Sequence, residues 1–185
     1  MNYPGSIKKT YQKNINYANR GLDLEALLND SNNYYIEADK AIIYKKPTPI
    51  TIIDAKFSAK GREITKAYFA EPSTLDYNGI YKGKYLDFDA KVTKSKTSFP
   101  LENIHEHQLL HMRRILKHGG ITFLIIRMND KCYYLDGKEI IQFIDNNNRK
   151  SIPFSFIEEK GYVIEEKIRP RIDYLKIIDK LYFRE

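Results

Sequence analysis

A single cysteine, Cys132, is the only one in the 185 residues. It can close no internal disulfide, which sets aside the disulfide-stapled secreted folds and fits a reducing compartment. Cys132 lies in CYYL, which reads as a strand, so packing rather than catalysis is its expected task. No apolar run approaches the roughly 20 residues that span a bilayer, and the first residues lack the apolar core of a signal peptide. A soluble cytoplasmic protein with no membrane partner is therefore expected. Pro/Gly/Ser-rich linkers, internal repeats and low-complexity tracts are also missing, so one domain with a sizeable core is the expected organisation.

Negative charge is the scarcer sign. Thirty-one Lys and Arg stand against 24 Asp and Glu, a net charge of +7, which draws the surface toward polyanions and makes nucleic acid the leading partner. The abundance of Asn, Ile, Lys and Tyr also fits an AT-rich coding sequence, so part of the lysine content carries no functional message.

The most informative stretch runs from Pro72 to Lys94, PSTLDYNGIYKGKYLDFDAKVTK. In it Asp87, Asp89 and Lys91 alternate with Leu86, Phe88, Ala90 and Val92, the period of a strand with one apolar and one polar face. A solvated edge strand shows the same alternation, but aspartate is a poor strand former and two so close together call for a reason. Upstream, Tyr77-Asn78-Gly79 reads as a turn that folds Asp76 over the polar face. Phosphodiester hydrolysis needs a hard cation, oxygen ligands to hold it and a positive group near the attacking water or the scissile phosphate. Asp76, Asp89 and Lys91 are residues of the right kind.

An acid, a later acid and a lysine two residues beyond it resemble the nuclease core written PD…(D/E)xK, although a D-x-K tripeptide alone is a weak signal. The longer match is more specific. MNYPG at the start, NRGLDLEALLNDSN at 19–32, YKKPTPI at 44–50, AYFAEPSTLDYNGIYKGKYLDFDAK at 67–91, KTSFPLENIHEHQ at 96–108 and RPRIDYL at 169–175 together resemble the RecU family of bacterial Holliday junction resolvases. The resemblance runs from Met1 nearly to the C-terminus. It implies an α/β fold, restriction-endonuclease-like, with a mixed central β-sheet flanked by helices and a protruding β-hairpin stalk at about 50–71.

By the same resemblance Thr74, Asp76, Asp89 and Gln108 bind Mg²⁺, with Mn²⁺ as a substitute, and Lys91 stabilises the pentavalent phosphorane or positions water. Glu25 is a secondary site candidate on the first helix. Arg20 is a phosphate contact, and Lys56, Lys60, Arg62 and Lys66 decorate the stalk as DNA-binding residues. The implied substrate is branched DNA, the Holliday junction, and cutting two equivalent strands implies a homodimer. The family's second acid is often Glu, whereas here it is Asp89, with a reach shorter by roughly 1.5 Å. Two other readings stay open: a junction- or duplex-binding structural protein with little or no cleavage, and a nuclease of the same core acting on ordinary duplex.

The remaining elements follow from periodicity. Residues 1–18, with Lys8, Lys9 and Lys13, read as a basic arm and residues 19–185 as the single domain. Asn19 to Asp30 reads as a helix on the spacing of Leu24, Leu27 and Leu28. Residues 41–46, 50–57 and 63–71 read as strands, with Pro47-Thr48-Pro49 a stiff connection. Asn103 to Lys117 reads as a helix ended by Gly119-Gly120, with Ile104, Leu109, Met112, Ile115 and Leu116 as its buried stripe and Gln108 on its surface. His107 and His111 have the spacing of a zinc-binding helix face, but no accompanying Cys or further motif supports a zinc site. ITFLIIRM at 121–128 reads as a central strand buried on both faces. CYYLDG reads as a strand, GKEIIQFIDNN as a short helix, and the C-terminal segment as a helix with Ile172, Leu175, Ile178 and Leu181 in a stripe.

Overall fold

The computed structural model describes residues 18–70 and 74–183. Its centre is a six-stranded sheet in the spatial order β1 (Ile42–Lys45), β4 (Tyr77–Tyr81), β5 (Lys84–Val92), β7 (Ile121–Met128), β8 (Lys131–Asp136) and β10 (Tyr162–Ile164). Every neighbouring pair is antiparallel except β5 and β7, which run parallel. That pair needs a crossover, supplied by β6 (Ser98–Pro100), a single 3-10 turn at Leu101–Asn103 and helix α2 (Glu106–Lys117). The sheet is mixed and flanked by helices, as the sequence implies.

β7 shows why this chain builds two cores. Ile121, Phe123 and Ile125 point to one face, and Leu124, Ile126 and Met128 to the other, all buried. Beneath the first face lie α1 (Ala18–Glu37) and α5 (Leu175–Tyr182); on the second lie α2, α3 (Gly137–Asn146) and α4 (Phe154–Lys160). The α1 side is braced by a ladder of rings across four adjacent strands. Tyr77 stacks on Phe88 at 4.9 Å, Phe88 on Phe123 at 4.5 Å, and Phe123 on Tyr134 at 4.5 Å. Stacked rings add about 0.5–1.5 kcal/mol per pair beyond their burial, so the strand that carries Asp87 and Asp89 is firmly seated from behind.

Three sequence expectations need correction. Tyr77-Asn78-Gly79 is not a turn: these residues form β4, and the turn lies at Lys82-Gly83, where φ is 45° and 74° in a two-residue hairpin loop between Tyr81 and Lys84. Gly79 is needed for close approach instead, because a Cβ there would lie 2.1 Å from the backbone oxygen of Ile42 on β1. Helix α1 runs past Asp30 to Glu37, since its polar Ser31 and Asn32 are buried with partners. The Ser31 hydroxyl donates to the Leu27 carbonyl at 2.7 Å and accepts from the Ile172 amide at 2.8 Å, and the Tyr174 hydroxyl donates to Asn32 Oδ1. The C-terminal helix begins at Leu175, so Ile172 joins the core from the extended segment before it.

Among the described residues, β2 (Ile50–Ser58) and β3 (Gly61–Phe69) pair only with each other. Every residue in them except Ala55 is exposed, including Phe57 and Phe69. The hairpin is rooted where the Ala70 amide donates to the Pro49 carbonyl at 2.9 Å. The arm expected over residues 1–18 lies outside the described residues except for Ala18.

Candidate active site

The hairpin β4–β5 does the first work of assembly. Its register pairs Tyr77 with Phe88, which sets Asp76, one residue ahead of β4, beside Asp89, one residue past Phe88. The two carboxyl groups lie close enough for each to disfavour the other's ionisation. Asp76 is half-buried, and burial, followed by the charge of Asp89, pushes its carboxyl up to about 6 against the opposing charges of Lys91 and Lys45. Two acids in one low-dielectric pocket resist double ionisation, which is why the Asp76 carboxyl is harder to ionise than an exposed one.

Asp89 is fully buried. Its Oδ2 accepts from Lys91 Nζ at 2.8 Å and from Gln108 Nε2 at 2.8 Å, and its Oδ1 accepts from the Ala90 amide at 2.7 Å. A buried carboxylate is tolerable only with such partners. Gln108 is itself buried, contrary to its expected place on the helix surface. It is the third residue of α2, and its Oε1 accepts from the His105 amide at 3.1 Å, closing the start of the helix. The same side chain thus caps α2 and steadies Asp89. Thr74 is half-buried, and its hydroxyl donates to the neighbouring Leu75 carbonyl at 3.4 Å.

The structure therefore brings Asp76, Asp89, Lys91 and Gln108 together. Glu25 sits on α1 paired with Lys45 Nζ. Lys56, Lys60, Arg62 and Lys66 are exposed on the β2–β3 hairpin and its loop; Arg20 falls outside the residues whose side chains are described. Among the described residues no three His, Cys, Asp or Glu side chains gather as a metal-holding group, so any cation here would draw on neutral oxygens as well as the two acids.

A second polar cluster stands beside the first. Asp87 is fully buried, and its Oδ2 meets Lys46 Nζ at 2.8 Å, the Tyr85 hydroxyl at 2.7 Å and His111 Nε2 at 3.1 Å. Gln108 and His111, three apart on α2, stand over Asp89 and Asp87, two apart on β5. Sequence reading placed Asp87 on the polar face but found none of its partners. The signals available were the alternation on β5 and the spacing of Gln108 and His111, which become meaningful only once α2 is known to lie over that face. His111 is engaged with Asp87, while the ring of His107 stacks on His105 at a centroid distance of 5.4 Å.

The class that this fold and site define is an α/β protein carrying, on one face of a mixed sheet, a close pair of carboxylic acids and a lysine. Residues 19–180 match the family model described as RecU, Recombination protein U, and the chain belongs to that family. Curated relatives include the Holliday junction resolvase RecU of Bacillus mycoides (strain KBAB4), 49% identical over 181 residues that cover 95% of this chain and 90% of the relative. Another is the Holliday junction resolvase RecU of Oceanobacillus iheyensis, 44% identical over 196 residues, covering 99% of this chain and 100% of the relative. Among solved structures, Hjc of Archaeoglobus fulgidus, a Holliday junction resolvase, superposes with a TM-score of 0.42 at 11% identity, over 78% of this chain and 92% of that one.

Proposed function

We propose that this chain is a divalent-cation-dependent endonuclease that resolves four-way DNA junctions by nicking two strands symmetrically. The observation that carries the reading is the neighbouring pair of acids Asp76 and Asp89, with Lys91 Nζ 2.8 Å from Asp89, in a chain whose family relatives bear the name Holliday junction resolvase. Two neighbouring carboxylates that resist joint ionisation are a place where a hard cation can offset the repulsion.

The donors fit Mg²⁺, with Mn²⁺ as a substitute, because all are hard oxygens. Asp76 and Asp89 would hold the ion, with Thr74 adding its hydroxyl or carbonyl. Gln108 joins the set if its amide turns over to offer Oε1, giving up the bond from the His105 amide. When bound by these residues, such an ion would supply Lewis-acid polarisation of the phosphate and a more acidic water. Lys91, tethered to Asp89, presents its ammonium to the scissile phosphate and offsets the charge that develops on the phosphorane. Burial of Asp89 keeps these groups fixed before substrate arrives. Glu25, tied to Lys45, borders the pocket as a secondary participant.

The hairpin residues Lys56, Lys60, Arg62 and Lys66 contact backbone phosphates, Arg20 is a further phosphate contact by family resemblance, and two chains related by a two-fold axis supply the paired sites in the cytoplasm. The test is incubation of a strand-labelled four-way junction with Mg²⁺ and wild type, Asp76→Ala or Asp89→Ala, with binding followed in parallel. Both variants are expected to bind the junction and to lose at least a hundredfold in cleavage rate, roughly the loss of one strong electrostatic contribution. Undiminished cleavage by either variant would remove the carboxylate pair from the chemistry.

A further inference from the structure

The polar face of β5 carries the same arrangement twice. Lys91 Nζ lies 2.8 Å from buried Asp89, and Lys46 Nζ lies 2.8 Å from buried Asp87; each aspartate is inaccessible, while the lysine side chains are 19% and 21% exposed. The two aspartates are two residues apart on one strand, about 6.7 Å, a spacing comparable to that of successive phosphates along a nucleic-acid strand.

Lys46 is held more firmly than a surface lysine. Its amide donates to the Asp76 carbonyl at 2.7 Å, and its ammonium bonds Asp87 Oδ2. Tyr85 and His111 converge on the same oxygen and lock it. Asp87 Oδ1 is buried with no hydrogen-bond partner among the described residues, so compensation of this charge is concentrated on the side where Lys46 reaches solvent. The ammonium has three protons and only one is engaged by Asp87, which leaves donors for an incoming anion.

We propose that Lys46, positioned by Asp87, is a phosphate-binding subsite that grips the backbone phosphate next to the scissile one and sets the register of the strand against Lys91. The subsite is a contact to nucleic-acid backbone, independent of base sequence, and it rests on the nuclease reading above. Asp87, Tyr85 and His111 are positioning residues, since they act through the lysine.

The experiment measures binding of wild type, Lys46→Met and Lys46→Arg to a four-way junction over a range of salt concentrations, with cleavage and thermal melting followed in parallel. Loss of one phosphate contact makes the slope of log K against log salt shallower by about 0.9 per contact. The expected result is that reduction for Lys46→Met with equal weakening on junctions and linear duplex, slower cleavage, and recovery of the slope by Lys46→Arg. A merely structural role for Lys46 would change melting without changing the slope. A wild-type slope in a folded Lys46→Met protein therefore overturns the subsite while leaving the nuclease reading intact; a wild type that neither binds nor cuts junctions overturns both. If Lys46→Met does not fold, a Lys46→Arg slope that stays shallow by the same amount also overturns it, because the charge is kept there.

Discussion

The carboxyl of Asp76 keeps its proton to about pH 6 because burial and the charge of Asp89 act against its ionisation. In the unfolded chain an ordinary aspartate loses its proton near pH 4. Between those values the native state binds more protons than the unfolded state, so this residue's contribution to stability falls as pH rises from about 4 to about 6 and is flat above. Asp76→Asn mimics the protonated form. It should melt with wild type near pH 4 and above wild type at pH 8, where solvent screening at this half-buried site holds the gain to about 1 kcal/mol, roughly 2–4 °C. The same variant should not cut DNA, and wild-type cleavage should decline as pH falls below about 6. Melting curves at the two pH values check the first claim: a variant less stable than wild type at pH 8 would mean the pair is not under repulsion.

At this scale the sequence was readable where chemistry is local. Asp87, Asp89 and Lys91 alternate on one strand, and their shared face follows from the period of two. The partners of Asp87 are far along the chain: Lys46 is 41 residues away and His111 is 24, and only the parallel crossover brings α2 over the face. Helix periodicity alone likewise puts Gln108 on the surface, because an amide on an amphipathic helix is ordinarily solvated, and only the family resemblance points it to the site. It is buried because it satisfies two groups at once, Asp89 and the start of α2.

Elements were legible from apolar periodicity and less so from turn chemistry. Strand β7 announced its burial on both faces, and Pro47–Pro49 marked the hairpin root. Asn78-Gly79 has the composition of a tight turn, yet the chain turns at Lys82-Gly83 and spends Gly79 on close packing against β1. The competing use of glycine, backbone approach rather than positive φ, cannot be told from sequence alone. Gly79→Ala tests the assignment. With a Cβ 2.1 Å from the Ile42 oxygen and 2.7 Å from the Ile43 Cα, β1 must move, and the expected loss is about 3 kcal/mol in a urea unfolding titration. Because β1 leads directly to Lys46 and its bond to the Asp76 carbonyl, cleavage should weaken along with stability. A loss under about 0.5 kcal/mol would show that β1 is not packed on Gly79.

The whole molecule combines a rigid mixed sheet with an exposed hairpin rooted beside the site. Net charge of +7 favours polyanions in general, whereas the choice of a branched substrate requires geometry, such as a site on one face of the sheet and an exposed basic hairpin. The family resemblance made this organisation legible, and composition alone would have stopped at nucleic-acid binding. The most direct measurement gives wild type and Lys91→Ala a four-way junction and a linear duplex of the same sequence, with both strands labelled and Mg²⁺ present. Paired nicks at symmetrical positions in the junction, little cutting of the duplex, and a Lys91→Ala protein that binds the junction without cutting it are the predicted result. Intact junction strands with tight binding by wild type, or duplex cut as readily as junction, would contradict the account.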